Sequence, residues 1–209
     1  MKVSILGYGK IGRPLALLLV RMNHHVVVGT RHPEELEDLA REKGPKLEAM
    51  DPDRAIPASD VIIDALPFKN SMELSPDALE GKMLISASNY VPHRDGQIVL
   101  GKMTDTQLLA DRLEKTHVVK AFNVINAQEF EYNLAHRDDM SGLAVPVAGD
   151  HKPSVETAMT LVRDAGFHPL NFGELHMARF FTTGTPVYRT GWKAPKMQEW
   201  LEAQIGRSV

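Results

Sequence analysis

The chain has 209 residues, with 24 Lys and Arg against 27 Asp and Glu for a net charge of −3, 43% hydrophobic and 24% charged residues, and no cysteine. This ordinary globular composition suits one large domain. It excludes extensive disorder, a disulfide framework, a thiolate metal site and a cysteine nucleophile. A nucleic-acid partner is not expected either, because it would draw on a clustered basic surplus that this charge balance lacks.

Taken in chain order, Lys2–Leu6 reads as a strand, and Arg13–Met22 as a helix with Leu15, Leu18 and Leu19 on one face. His25–Gly29 is a second strand. Pro33–Lys43 is a helix with proline in its first turn and Gly44 just past its end. Asp60–Leu66 and Lys82–Ser86 are buried strands, Thr104–Lys115 a helix and His117–Phe122 another strand. Gly142–Ala148 adds a strand whose Pro146 implies an edge or irregular position. A helix over Ser154–Ala165 and a strand over Phe167–Phe172 follow. From Phe180 the chain turns rich in Thr, Gly and Pro, reads as extended, and ends in a helix near Lys196–Ile205.

Strands alternating with helices at this spacing predict an α/β fold, a Rossmann-type doubly wound, mostly parallel sheet with a short C-terminal extension. Residues 1–150 are the expected dinucleotide-binding domain, and 151–209 an α/β extension and tail packed on the same domain or on a partner subunit. The longest apolar run, Leu15–Val20, falls far short of the roughly 20 residues of a membrane span. The start of the chain lacks the layout of a leader. The expectation is a cytoplasmic protein with no membrane partner.

Gly7-Tyr8-Gly9-Lys10-Ile11-Gly12 fits G-x-G-x-x-G between an apolar strand and an apolar helix. In that setting Gly7 makes the tight turn, Gly9 lets a pyrophosphate approach the backbone, and Gly12 lets helix pack on strand. The helix start then holds the phosphates through its free amides and dipole. The end of the second strand selects the dinucleotide. Where an NAD enzyme places a carboxylate for the ribose hydroxyls, this chain has Thr30, eighteen residues past Gly12, followed by Arg31 and His32. A hydroxyl and a guanidinium bind a 2′-phosphate that a carboxylate would repel, so the cofactor is read as NADP(H), with His32 a possible third donor. Ala65-Leu66-Pro67, Ser86–Tyr90 and Lys120–Asn126 end strands at the same crevice. Asn123 is the candidate polar group facing the reacting ring.

Nine histidines invite a metal site, but His24 and His25 are adjacent and point apart, and no H-E-x-x-H or H-x-x-E-H spacing occurs, so no metal ligand is assigned. G-x-S-x-G and the P-loop are absent as well, which removes hydrolase and triphosphatase readings. The 60 residues after Gly149 cannot build the long helical second domain of hydroxyacid dehydrogenases and imine-type reductases. No catalytic acid or base stands out. A dinucleotide domain of this kind suits hydride passage between nicotinamide and a flavin-like ring, which needs stacking and exclusion of water more than a proton relay.

These segments resemble the NADPH-dependent F420 reductases (F420:NADP oxidoreductases) and, more distantly, the cytosolic oxidoreductase domain of the STEAP metalloreductases. The resemblance is carried by Gly7–Gly12, Gly29-Thr30-Arg31, Ala65-Leu66-Pro67, Val118–Asn123, Val147–Asp150, Phe172–Leu175 and Ala178-Arg179. It implies a small Rossmann domain, usually a homodimer, with NADPH across Gly7–Gly12 and its 2′-phosphate near Thr30 and Arg31. It also implies the nicotinamide near Leu66, Pro67 and Asn70, and a small-molecule hydride acceptor, F420 or a flavin, against Asn123–Asn126 and the Gly173–Arg179 turn. Two other readings stand beside it: a non-catalytic NADP(H)-binding redox sensor, and a small imine or ketone reductase with Tyr90 or Lys120 as proton donor.

Overall fold

The computed structural model describes residues 1–136 and 139–205. Eight strands form one sheet: β1 (Lys2–Leu6), β2 (His25–Gly29), β3 (Leu47–Met50), β4 (Val61–Asp64), β5 (Met83–Ser86), β6 (His117–Lys120), β7 (Ala144–Gly149) and β8 (His168–Gly173). Their order is β3-β2-β1-β4-β5-β6-β7-β8. All neighbours pair in parallel except β6 and β7. The helices are α1 (Gly12–Arg21), α2 (Glu37–Lys43), the single turns α3 (Pro52–Ala55), α4 (Phe68–Ser71), α5 (Pro76–Leu79) and α6 (Pro92–Asp95), then α7 (Asp105–Arg112), α8 (Ala127–Ala135), α9 (Lys152–Asp164) and α10 (Ala194–Ile205). No helix among the described residues is long and apolar enough to cross a membrane.

Strand side chains alternate between two cores, as the two-residue period dictates. Ile5, Val28, Ile63, Ile85 and Val119 face Leu15, Leu18 and Leu19 of α1, Phe130 of α8 and Leu161 of α9. Leu6, Val27, Ile62, Leu84 and Val118 face Phe68 of α4, Leu79 of α5 and Leu109 of α7. The strand order reverses between β1 and β4, and that switch point opens the crevice in which such sheets bind ligands.

The structure departs from the sequence reading in several places. β3 was not anticipated: Leu-Glu-Ala-Met has no β-branched residue, and it forms by pairing with β2, Val26 opposite Leu47. The helix expected over Pro33–Lys43 begins as a 3₁₀ turn, Pro33–Leu36, before α2. Pro146 lies in an interior strand, but pairing of β7 with β6 is confined to Val119–Gly149 and Lys120–Ala148. Its half of β7 therefore outruns β6 and needs no amide donor there. His24 and His25 do part, His24 to Asp164 of α9 and His25 to Glu48 of β3. Residues 182–189 are turns and bends rather than extended chain, and Pro195 lies in the first turn of α10. α10 packs on the body through buried Met197 and Leu201, with Trp200 edge-on to Phe180 and Trp192.

Candidate active site

The turn after β1 shows what each glycine does. Gly7 has φ of 93° and donates its amide to Gly29 O at 2.8 Å, which ties the turn to the end of β2. A Cβ on Gly12 would lie 2.0 Å from Gly7 O, so no larger residue fits. A Cβ on Gly9 would meet nothing within 4 Å: the space over it is open. α1 starts here with no side-chain cap and no acidic residue in its first turn. The Arg13 amide already donates to Gly9 O and Pro14 has no N–H, so the Gly12 amide and the positive dipole end of the helix are left for an anion. Lys10 is exposed beside them, while Tyr8 and Ile11 lean on the core.

Thr30 continues directly from Gly29, and its Oγ1 accepts the His32 amide at 3.3 Å. Arg31 is exposed and has no partner among the described residues. The His32 Nδ1 sits 3.2 Å from Glu34 Oε1, both side chains exposed.

Ala65 and Leu66 press against the glycine turn; a Cβ on Gly7 would come within 3.2 Å of both residues. Behind them Asp64 is fully buried, with Oδ1 accepting the Leu66 amide at 3.1 Å and Oδ2 without a partner. Burial pushes its carboxyl up to about 6, against the lowering pull of Ser71, the Leu66 amide and Lys120. Asp64 is in register with Ser86, and Ser86 with Lys120, so a buried polar row crosses three strand ends. Lys120 donates to Ser88 O at 2.6 Å and Asp105 Oδ1 at 3.2 Å. Burial would raise Asp105, but the Lys120 charge together with hydrogen bonds from the Tyr90 amide, Lys120 and Thr106 outweighs it and holds the carboxyl below its ordinary range.

At the end of β6, Phe122 takes φ of 65°, a strained conformation for a bulky residue, and turns the chain into Asn123. Asn123 donates to Asn89 Oδ1 at 3.0 Å and Phe181 O at 2.8 Å, while Asn89 donates back to Asn123 O at 2.9 Å. Two acceptors facing one nitrogen fix the amide's orientation. Asn123 Oδ1 is buried without a partner.

Together these segments form a cleft of about 370 Å³. It brings together Gly9, Lys10, Ile11, Ala65, Leu66, Pro67 and Asn123. Gly7, Tyr8 and Gly12 build the turn behind it, and Thr30, Arg31 and His32 lie at the adjoining end of β2. Asn70 is off the cleft wall and donates to Glu73 at 3.3 Å. Sequence reasoning missed Arg94, Tyr188 and Arg189, which also line the cleft. Only the Thr/Gly/Pro-rich composition of the tail hinted at the last two. No trio of His, Asp or Glu among the described residues is placed to hold a metal.

Residues 2–90 match the family model described as NADP oxidoreductase, coenzyme F420-dependent. Metalloreductase STEAP3 of Rattus norvegicus is 31% identical over 199 residues, 94% of this chain and 38% of that protein. The chain thus spans under two-fifths of the length of that relative. Among solved structures, a hypothetical protein from Sinorhizobium meliloti superposes with a TM-score of 0.78 at 22% identity, covering 93% of this chain and 96% of the other. A candidate F420-dependent NADP-reductase from Arthrobacter sp. FB24 gives 0.71 at 21% identity, covering 86% and 87%. At these identities the structures establish the shared Rossmann-type fold.

Proposed function

We propose, from a chain whose residues 2–90 belong to the F420-dependent NADP oxidoreductase family, that the cleft binds NADP(H) together with a planar flavin-like or deazaflavin (F420) acceptor and carries hydride between them. The observation behind this reading is that Lys120 and Tyr90, the proton donors the sequence offers for an imine or ketone reductase, lie off the cleft wall and are already committed. Lys120 is held by Ser88 and Asp105. The Tyr90 hydroxyl donates to Gly96 O at 2.9 Å and accepts from the Ile98 amide at 3.0 Å. An imine or ketone reductase must deliver a proton at the reacting atom. Hydride exchange between two stacked rings depends chiefly on alignment and exclusion of water.

The residues present fit the dinucleotide. The uncapped start of α1, the open space over Gly9 and the unpaired Arg31 guanidinium are what its phosphates require. Gly7–Gly12 with Lys10 would hold the pyrophosphate, Thr30 and Arg31 the 2′-phosphate, and Leu66 and Pro67 the nicotinamide ribose. Bound NADP(H) supplies or takes up the hydride. Asn89 and Asn123 lock two loops to each other and, through Phe181, to the C-terminal segment, which keeps the acceptor side at fixed width. Asn123 Oδ1 remains free to accept from a ring or carboxamide N–H.

The test is NADPH consumption by the purified protein with F420, FMN, FAD or riboflavin as acceptor. Turnover with F420 alone, or with the flavins, supports the reading and names the acceptor. Tight NADPH binding with no turnover on any of them would replace it with the redox-sensor reading.

A further inference from the structure

The cleft is cationic and has no carboxylate on its wall. Its charged lining residues are Lys10, Arg94 and Arg189, all basic, in a chain with a net charge of −3. Two of the three have work assigned. Lys10 belongs to the glycine turn at the pyrophosphate end. Arg94 is neutralised by Asp95, at 3.0 Å from Nε and 2.8 Å from Nη2, and also donates to Asn89 O at 2.6 Å. Arg189 has no carboxylate partner among the described residues, and its guanidinium sits 5.9 Å from the centre of the Tyr188 ring.

The backbone of Arg189 is held in place at a cost. Its φ is 57°, the left-handed region that L side chains avoid, and its amide donates to Val124 O at 3.0 Å. That bond stitches the C-terminal segment to the loop after β6. The residue that carries the unpaired guanidinium is thus tied next to Asn123, on the side of the cleft that Asn89 and Asn123 frame.

We propose that Arg189 is a specificity residue for the hydride acceptor, and that its guanidinium takes an anionic substituent, a phosphate or carboxylate, on the side chain of the planar ring. This rests on the acceptor reading above. A guanidinium pairs with either anion through two parallel charge-assisted bonds.

FMN and riboflavin share one ring and differ by a phosphate, so they isolate this contact. The experiment compares kcat/KM for the two with NADPH as donor, and their binding to the NADP⁺-loaded protein by flavin fluorescence. FMN should be preferred by about tenfold or more, the size of one charge-assisted contact. Arg189→Gly suits the positive φ and keeps the turn; it should bring the FMN-to-riboflavin ratio close to one, whereas Arg189→Lys should retain part of it. Lys196→Ala, which removes a basic side chain stacked on Trp192 outside the cleft, should leave the ratio as it is. A wild-type protein that reduces both flavins without preference, or an unchanged ratio in Arg189→Gly, overturns the assignment while the acceptor reading stands. If neither flavin nor F420 is bound or reduced, the acceptor reading fails and this assignment falls with it.

Discussion

The two ends of the cleft are built from different material. The end proposed for the phosphates is backbone: one continuous stretch from Leu6 to Gly12, tied to Gly29 O, with the uncapped start of α1 behind it. The end proposed for the acceptor is mostly side chain. Asn89, Asn123 and the C-terminal segment with the Phe181 carbonyl and Arg189 are three separate stretches of chain that meet only because the sheet gathers them. A backbone-built end has no tolerance for bulk but needs few particular side chains. A side-chain end can be retuned by single substitutions, and that is where members of one fold would differ in what they reduce.

The largest expected effect lies at the intolerant end. Gly12→Ala forces a Cβ to 2.0 Å from Gly7 O, which should cost about 3 kcal/mol or more of stability. Gly9→Ala has open space around its new methyl, so unfolding of the ligand-free protein should move by no more than about 0.5 kcal/mol. Its NADPH affinity should nonetheless fall by about tenfold or more, because the methyl occupies the room a pyrophosphate needs. Thermal melts with and without NADPH separate the two variants. Equal destabilisation by both would break the distinction between a packing glycine and a ligand glycine.

The same division explains what could be read from the sequence. The glycine turn is contiguous, so Gly7, Gly9 and Gly12 announced the strand, the turn and the helix together. The buried strands were legible from runs such as Val26–Val28, Ile62-Ile63 and Leu84-Ile85. β3 was not, because Leu47–Met50 becomes a strand only by lying along β2. α8 carried a signal that went unread: Asn126 caps it by accepting the Glu129 amide at 3.1 Å, and Phe130 fills the core. At the acceptor end Asn123 was legible as a polar residue where a strand ends. Its bond to Phe181 and the approach of Arg189 were not, since nothing local in the sequence joins positions so far apart.

Asp64 lies under the seam between the two ends, bonded to the Leu66 amide on one side and in register with Ser86 on the other. Its folded value of about 6 exceeds the ordinary 3.8. Between those values the folded protein holds a proton that the unfolded chain has lost. Stability is therefore full below about pH 4 and falls as pH rises through 6, by about 3 kcal/mol for this group. Acid-stabilising carboxyls such as Asp64 oppose Asp105 and Asp95, whose lowered values stabilise above pH 4. Asp64→Asn should remove the decline between pH 4 and 6 and be the more stable protein at pH 7.5. Urea melts at pH 4.5 and 7.5 measure both slopes, and parallel slopes for the two proteins would place the buried proton elsewhere.

The smallest expected effects divide the two ends most cleanly. Arg31→Ala should cut kcat/KM for NADPH by about tenfold to a hundredfold, the value of a charged hydrogen bond, with little change for NADH. It should not alter the preference among ring acceptors, because Arg31 lies beyond β2 and off the acceptor wall. Asn123→Ala should do the reverse. It frees the Asn89 and Phe181 oxygens from their shared donor, which loosens the acceptor side at about 1–2 kcal/mol of stability. The KM for the acceptor should then rise while the NADPH-to-NADH preference holds. If Asn123→Ala instead shifts the nucleotide preference, or Arg31→Ala weakens NADH and NADPH alike, the phosphate and acceptor ends are one coupled surface. Backbone and side-chain construction would then no longer mark a functional boundary.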